Sequence, residues 1–144
     1  MNQDILEIFN QTSENVPYAP GELSRLIDLI QQHEKRNFHR VEVVFVDDEE
    51  ILQINRKYLH HDYVTDIITF PYHDNDDPVE GTLFCCMQQI QRQSREFNTR
   101  FETEVLRVVT HGLLHLVGYD DATDSQRGHM HDLENKYIKL YLDT

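Results

Sequence analysis

A single segment, residues 102–118, constrains the fold of this chain more than any other part of its sequence. Apolar side chains recur there at the spacing that places them on one face of an α-helix, and the glycine at 118 is a typical helix stop. His111 and His115 are four positions apart, so both imidazoles project from the same face, one turn apart. The segment therefore predicts a helix over residues 102–117 that buries one face and presents two histidines together.

The residues after this helix complete a metal-binding pattern. Histidines at this spacing suit two nitrogen ligands on one divalent metal, most often zinc. Gly118 permits a sharp turn, after which Asp121 can return toward the histidines as a third ligand. Two such histidines can also be neighbours by coincidence, but an otherwise apolar helix face followed by Gly-x-Asp-Asp favours ligands. We therefore predict one zinc ion held by His111, His115 and Asp121, with the open position that is typical of catalytic sites.

The histidine spacing is also that of the metzincin proteases, H-x-x-x-H-x-x-G-x-x-H/D. Those enzymes carry a glutamate directly after the first histidine as general base. This chain has Gly112 at that position. A zinc metalloprotease is therefore an alternative that needs a general base from outside the helix.

With Gly112 directly after the first histidine, residues 111–121 resemble the signature H-G-x-L-H-L-x-G-Y-D-H of the YbeY family of metal-dependent endoribonucleases. Residues 111–120 match every fixed position, and Asp121 replaces the last histidine. The likeness covers roughly residues 40–137. The other segments that resemble the family are residues 55–58 (family N-x-x-Y-R), residues 65–71 (family T-D-V-L-S-F-P), residues 81–83 (family Gly-Asp-Ile), and Met130 and Glu134 of the last helix.

The resemblance implies a function and roles for several residues. Members of the family act in ribosomal RNA maturation, so the expected activity is metal-dependent, single-strand-specific cleavage of ribosomal RNA precursors. The ribosome and ribosomal proteins are further candidate partners. In this interpretation Thr65 and Asp66 line the cleft beside the metal, and Arg56 contacts a phosphate. Asp120 orients a histidine ligand or caps the helix end.

Three departures from the family pattern bear on this interpretation. Asp121 is a competent zinc ligand, but its charge makes the metal less electrophilic and favours harder ions. Leu59 stands where the family has an arginine, for which Arg56 or the histidines at 60–61 could substitute. Thr82 replaces an aspartate and so removes one candidate polar group from the cleft. Because of Leu59, a non-catalytic, ribosome-associated metal-binding protein is a second alternative.

The charge balance limits how this chain can bind RNA. Its 144 residues include 13 basic and 26 acidic side chains, for a formal net charge of −13. Eleven of the acidic and only two of the basic side chains lie in residues 41–90. This excludes a basic surface that coats phosphates, and it argues against adhesion to an anionic membrane. An RNA substrate is therefore expected to approach through a bound cation, with weak and salt-sensitive affinity.

The remaining pattern predicts an α/β fold, a single domain over residues 1–144. Strands are predicted at residues 4–9, 41–46, 66–70 and 82–87, a loop at 73–80, and further helices at 22–36, 48–58, 90–97 and 123–142. The family resemblance implies a small, mainly parallel or mixed sheet of about four strands, packed with helices that include the zincin-like metal helix.

The expected location is the cytoplasm, with no membrane association. No segment reaches the roughly 18–20 apolar residues of a membrane span, and residues 1–4 lack the character of a secretory signal. Cys85 and Cys86 are adjacent, a poor basis for a disulfide, and suit a reducing compartment as buried strand residues. The remaining histidines are predicted to be surface residues, among them His129 and His131.

Overall fold

One four-stranded mixed sheet organises the fold in the computed structural model, which describes residues 5–143. Its strands are β1 (Leu6–Asn10), β2 (Phe38–Val46), β3 (Ile67–Pro71) and β4 (Val79–Cys86). β2 pairs in parallel with β1 and β4, whereas β3 pairs antiparallel with β4, so the order is β1-β2-β4-β3. The prediction of a small mixed sheet is confirmed. Asp4, the first residue of the predicted first strand, lies outside the described residues.

Helices cover both faces of this sheet. They are α1 (Pro20–Glu34), α2 (Asp48–Ile54), α3 (Met87–Glu96), α4 (Phe101–Val117) and α5 (Asp124–Leu142). The larger core cluster lies between one sheet face and α1, α3, α4 and α5, and a smaller one lies between the other face and α2. The described residues thus form a single α/β domain, as predicted. No helix within residues 5–143 is both long and apolar enough to cross a membrane.

Several element boundaries differ from those that the sequence predicts. The predicted loop 73–80 ends early: Val79 and Glu80 already belong to β4, where they pair with β2. The predicted helix 48–58 is two elements, α2 and a π-helical turn over Asn55–Leu59. Cys85 and Cys86 are buried on opposite sheet faces, as expected for neighbours in a strand.

Two glycines set how closely α4 approaches the sheet. A Cβ added to Gly112 would lie 2.6 Å from Ile67 Cδ1 on β3 and 2.9 Å from Leu83 Cδ2 on β4. A Cβ added to Gly81 on β4 would lie 2.5 Å from Leu116 Cδ2 on α4. The position after His111 therefore faces the sheet and has no room for the glutamate of a metzincin.

A matched pair of helix glycines tests this close approach. Gly128 lies inside α5 with no atom within 4 Å of an added Cβ, so Gly128→Ala should stabilise the protein by about 0.5–1 kcal/mol. Gly112→Ala gains the same propensity but must displace Ile67 and Leu83, an overpacking cost of about 1–3 kcal/mol. We therefore expect it to be the less stable variant by about 1–3 kcal/mol in denaturant unfolding of the metal-free proteins. Equal unfolding free energies would contradict the packing described.

Candidate metal centre

Three side chains converge at the C-terminal end of α4. His111 and His115 Nε2 lie 3.0 Å apart, and Asp121 Oδ2 lies 3.1 Å from the first and 3.3 Å from the second. Donor atoms bonded to a tetrahedral zinc ion at 2.0–2.2 Å lie roughly 3.3–3.6 Å from one another. Two imidazole nitrogens and a carboxylate oxygen thus match zinc in type and, after a small expansion, in spacing. These residues form a possible metal-binding cluster, as the sequence pattern predicts.

The turn after α4 brings Asp121 back to the histidines. Gly118 adopts φ 125°, a conformation that side chains rarely allow, and its N–H donates to the carbonyls of Leu114 and His115. The helix therefore ends sharply within one turn of its second histidine. This is the role that the sequence assigns to a glycine at this position.

A buried carboxylate on α5 orients His111. Glu134 Oε2 lies 2.6 Å from His111 Nδ1, and Arg107 Nη1 donates to Glu134 Oε1 at 3.3 Å. Glu134 is buried, so this hydrogen bond is shielded from water. A proton held on Nδ1 by this carboxylate leaves Nε2 with its lone pair directed at the candidate site, the usual arrangement behind a metal-bound histidine.

The same carboxylates shift the titration of His111. Burial on its own lowers the pKa of this imidazole, because the charged form loses hydration. The hydrogen bond with Glu134 and the charges of Glu134, Asp121 and Asp66 outweigh burial, so the net shift of the pKa is upward. Since a metal ligand must be neutral, protons compete with a metal at His111 up to a higher pH than at an ordinary histidine.

A cleft of about 480 Å3 opens beside the three converging side chains. Gln93 on α3 donates a hydrogen bond of 3.2 Å to Asp66, one of its carboxylates. The edge strand β3 forms much of one wall. The residues that line the cleft are Leu59, Thr65, Asp66, residues 67–69, Pro71, His111, His115, Asp120 and Asp121.

Some of the site residues that the sequence predicts lie in this cleft, and others do not. Thr65 and Asp66 line it, the position that the resemblance implies for them, and Asp120 lines it as well. The hydrogen bond to Nδ1 of His111 comes from Glu134, however, and not from Asp120. Arg56 is exposed outside the lining, where its Nε donates to Asp62 Oδ1 at 2.5 Å.

Thr82 is also placed differently from the expectation. It is buried, and its hydroxyl donates to Glu42 Oε1 on β2 at 3.2 Å. Because side chains alternate along a strand, this residue faces away from Leu83, which packs against α4. Thr82 therefore lies outside the lining of the cleft, and what an aspartate at this position would contribute there stays a prediction.

Glu134 matches the family pattern, but that match alone does not assign it a role. A signal was available: Glu134 lies in the buried stripe of α5, between Met130 and Tyr137. A carboxylate among apolar residues at helical spacing needs a buried partner. The identity of that partner, 23 positions earlier in the chain, comes only from the fold.

A hydrogen bond from Tyr119 attaches the loop that contains Asp121 to helix α1. Its hydroxyl donates to Glu34 Oε1 at 2.5 Å, and Tyr137 of α5 donates to the other oxygen of the same carboxylate. On the far side of the loop, Arg127 Nη1 donates to the carbonyl oxygen of Asp121 at 3.3 Å. The hydrogen bond with Glu34, together with burial, raises the pKa of Tyr119 to about 12, so this hydroxyl remains a donor at neutral pH.

Replacement of Tyr119 by phenylalanine tests this tether. The variant loses one hydrogen bond to a carboxylate, so we expect zinc affinity to fall by up to about tenfold as Asp121 becomes less well placed. Tyr137→Phe is the matched control, because it removes the other hydroxyl from Glu34 and leaves the loop attached. Competition with a chromophoric chelator measures both affinities. Equal losses in the two variants would show that Tyr119 does not position the ligand.

Comparisons with known proteins point to one family. The family model described as "Endoribonuclease YbeY" matches residues 7–141. A Chlorobium luteolum protein named endoribonuclease YbeY is 37% identical over 134 residues, which cover 93% of this chain and 96% of the relative. A Bacteroides fragilis protein of the same name is 41% identical over 108 residues, 75% of this chain and 76% of the relative.

A solved structure agrees with these sequence matches. The chain is similar to the solution structure of a Thermotoga maritima protein, with a TM-score of 0.63 and 29% identity. The match covers 94% of this chain and 88% of the other. This likeness supports the α/β fold described above.

Proposed function

The chain belongs to the YbeY family of endoribonucleases, and on that basis we propose that it hydrolyses phosphodiester bonds of single-stranded RNA in ribosomal RNA maturation. The observation that carries the proposal is the convergence of His111, His115 and Asp121 on one point, within 3.3 Å of one another, at an open cleft. The substrate is a ribosomal RNA precursor in the cytoplasm, and the ribosome or ribosomal proteins are its partners.

One zinc ion is the proposed cofactor, held by His111, His115 and Asp121. When bound there, a divalent ion supplies Lewis-acid polarisation of a phosphoryl oxygen and activates water for attack. Without a cation, Asp66, Asp120 and Asp121 would repel a phosphate from this cleft. The ligand set thus supplies what the acidic chain otherwise lacks.

The chain's own groups have separate tasks in this proposal. Glu134 holds the proton of His111 on Nδ1 and so keeps Nε2 available. Thr65 and Asp66 line the cleft and position the RNA backbone relative to the ligands. Arg56 contacts a phosphate outside the cleft, after exchanging its partner Asp62 for that phosphate.

The two alternative functions are less well supported. A metalloprotease of metzincin type needs a base after the first histidine, and Gly112 is packed against β3 and β4 instead. A non-catalytic metal-binding protein accounts for the ligand cluster, but the relatives are named as endoribonucleases.

A cleavage assay tests the proposal. Zinc-loaded protein should cut an unstructured RNA, and the activity should stop when a chelator removes the metal. Asp121→Ala should abolish cleavage, whereas Asp132→Ala, which removes the same charge from an exposed position on α5, should not. Cleavage that survives both the chelator and Asp121→Ala would point to a contaminating nuclease and contradict the proposal.

A further inference from the structure

We propose that Tyr58, His61 and Tyr63 form a stacking platform that binds unpaired bases of the RNA beside the metal cleft. This inference rests on the proposed function, because it names how the same site holds its substrate. It concerns three aromatic rings of the π-helical turn and of the loop that follows it, to which the proposed chemistry assigns no role. We call the rings of Tyr58, His61 and Tyr63 the platform.

The platform residues are exposed and directly adjoin the cleft in the chain. Tyr58 is 55% exposed and Tyr63 is 54% exposed, so both rings are accessible to a ligand. Tyr58 precedes Leu59, and Tyr63 lies two residues before Thr65. Both Leu59 and Thr65 line the cleft. An RNA strand whose phosphate reaches the ligands would therefore have neighbouring nucleotides close to these rings.

The rings are held in place before any ligand binds. Tyr58 packs edge-on against Phe70 of β3, with ring centroids 5.5 Å apart. His61 and Tyr63 are stacked, with centroids 5.0 Å apart and planes inclined by 15°. Rings that are already ordered lose little conformational freedom when a base stacks on them, which favours binding.

A buried amide couples the loop to the cleft. Asn55 is fully buried at the start of the π-helical turn. Its Nδ2 donates to the carbonyl oxygen of Tyr63 at 3.1 Å and to Thr65 Oγ1 at 3.0 Å. One side chain thus fixes both the loop that bears the platform and a residue of the cleft wall.

Local charge favours a nucleic acid over a protein surface as the occupant. Residues 55–63 contain two basic side chains, Arg56 and Lys57, and one carboxylate, that of Asp62, which pairs with Arg56, in a chain of net charge −13. Lys57 Nζ lies 5.2 Å from the centroid of the Tyr58 ring. Aromatic rings beside cations are the combination that proteins use to bind single strands, with stacking on bases and attraction for the phosphates between them.

The experiment compares base-bearing and abasic RNA. Zinc-loaded protein is titrated against a labelled oligouridylate of about 12 nucleotides and against the same strand with abasic sites. Fluorescence anisotropy is read at low temperature, within the time for which gel electrophoresis shows the RNA to be uncut, so that it reports affinity and not cleavage. The variants are Tyr58→Leu, Tyr63→Leu and Tyr63→Phe. Phe9→Leu is the matched control, because Phe9 is an exposed ring on β1, at the opposite edge of the sheet.

We expect each leucine variant to bind oligouridylate roughly 5- to 100-fold more weakly than wild type, with no change on abasic RNA. Tyr63→Phe keeps a ring and should stay within about twofold, as should Phe9→Leu. Unchanged affinities in the leucine variants, or equal losses on both RNAs, would overturn the platform. The proposed function fails separately, if wild-type protein binds RNA in this ring-dependent way but does not cleave it.

Discussion

Replacing His111 and His115 together by alanine is expected to eliminate metal binding and RNA cleavage. Wild-type protein should purify with, or take up, about one equivalent of zinc, since its three ligand atoms lie within 3.3 Å of one another. The double variant keeps only Asp121, a partly buried carboxylate that on its own binds a divalent ion weakly. Elemental mass spectrometry after dialysis measures the difference, and the RNA assay should fall to background.

A second double variant controls for the number of histidines. His39 and His131 are exposed and distant in sequence from α4, so His39→Ala with His131→Ala removes the same side-chain types without touching the cluster. It should keep the metal content and activity of wild type. If the His111 and His115 variant kept its metal while this control did not, the site would be assigned to the wrong residues.

Thermal stability provides a readout that does not depend on activity. A ligand that binds only the folded protein stabilises it by about 4 kcal/mol when its concentration is 1,000 times Kd. Added zinc should therefore raise the melting temperature of wild type and of the control variant. Added zinc should not change the melting temperature of the variant in which His111 and His115 are both alanine.

The sequence was most informative where chemistry depends on near neighbours in the chain. His111 and His115 could be placed on one helix face from their spacing alone, and Gly118 accounts for the return of Asp121. These contacts span at most ten residues and follow from helix geometry and one turn. The helix itself was predicted at 102–117 and begins one residue earlier, at Phe101.

The sequence was least informative where distant elements meet. The first residues of β4, which the sequence predicts to lie in a loop, belong to the strand only because Val79 pairs with Phe38, a partner 41 positions away. Tyr119 attaches the ligand loop to α1 through Glu34, a partner 85 positions earlier in the chain. No local pattern reports which partner a side chain finds after folding, and these assignments therefore required the structure.

Glu134 is the partner whose loss should show most clearly that the site depends on such distant contacts. Its carboxylate joins His111 to Arg107, and Arg107 Nη2 also donates to Asn135 Oδ1 at 2.9 Å. Removing the acceptor of a metal-ligating histidine typically weakens metal binding 10- to 100-fold. We expect losses of that size for Glu134→Ala, with a parallel loss of cleavage at limiting zinc. Asn135→Ala removes a partner of Arg107 without reaching the histidine and should leave zinc affinity unchanged.

Glu134→Gln separates the charge of this residue from its hydrogen bond. Its amide oxygen can still accept the Nδ1 proton of His111, but the charge of Glu134, which raises the pKa of His111 together with the charges of Asp121 and Asp66, is gone. In wild type, zinc affinity should fall as pH decreases through that raised pKa, because protonated His111 cannot bind metal. In Glu134→Gln the pKa of His111 is lower, so the decline in zinc affinity should begin at a lower pH. At high pH the variant should still bind zinc more weakly than wild type does. Chelator competition between about pH 6 and 8 measures both quantities. Identical pH profiles for the two proteins would mean that Glu134 does not control the protonation of this ligand.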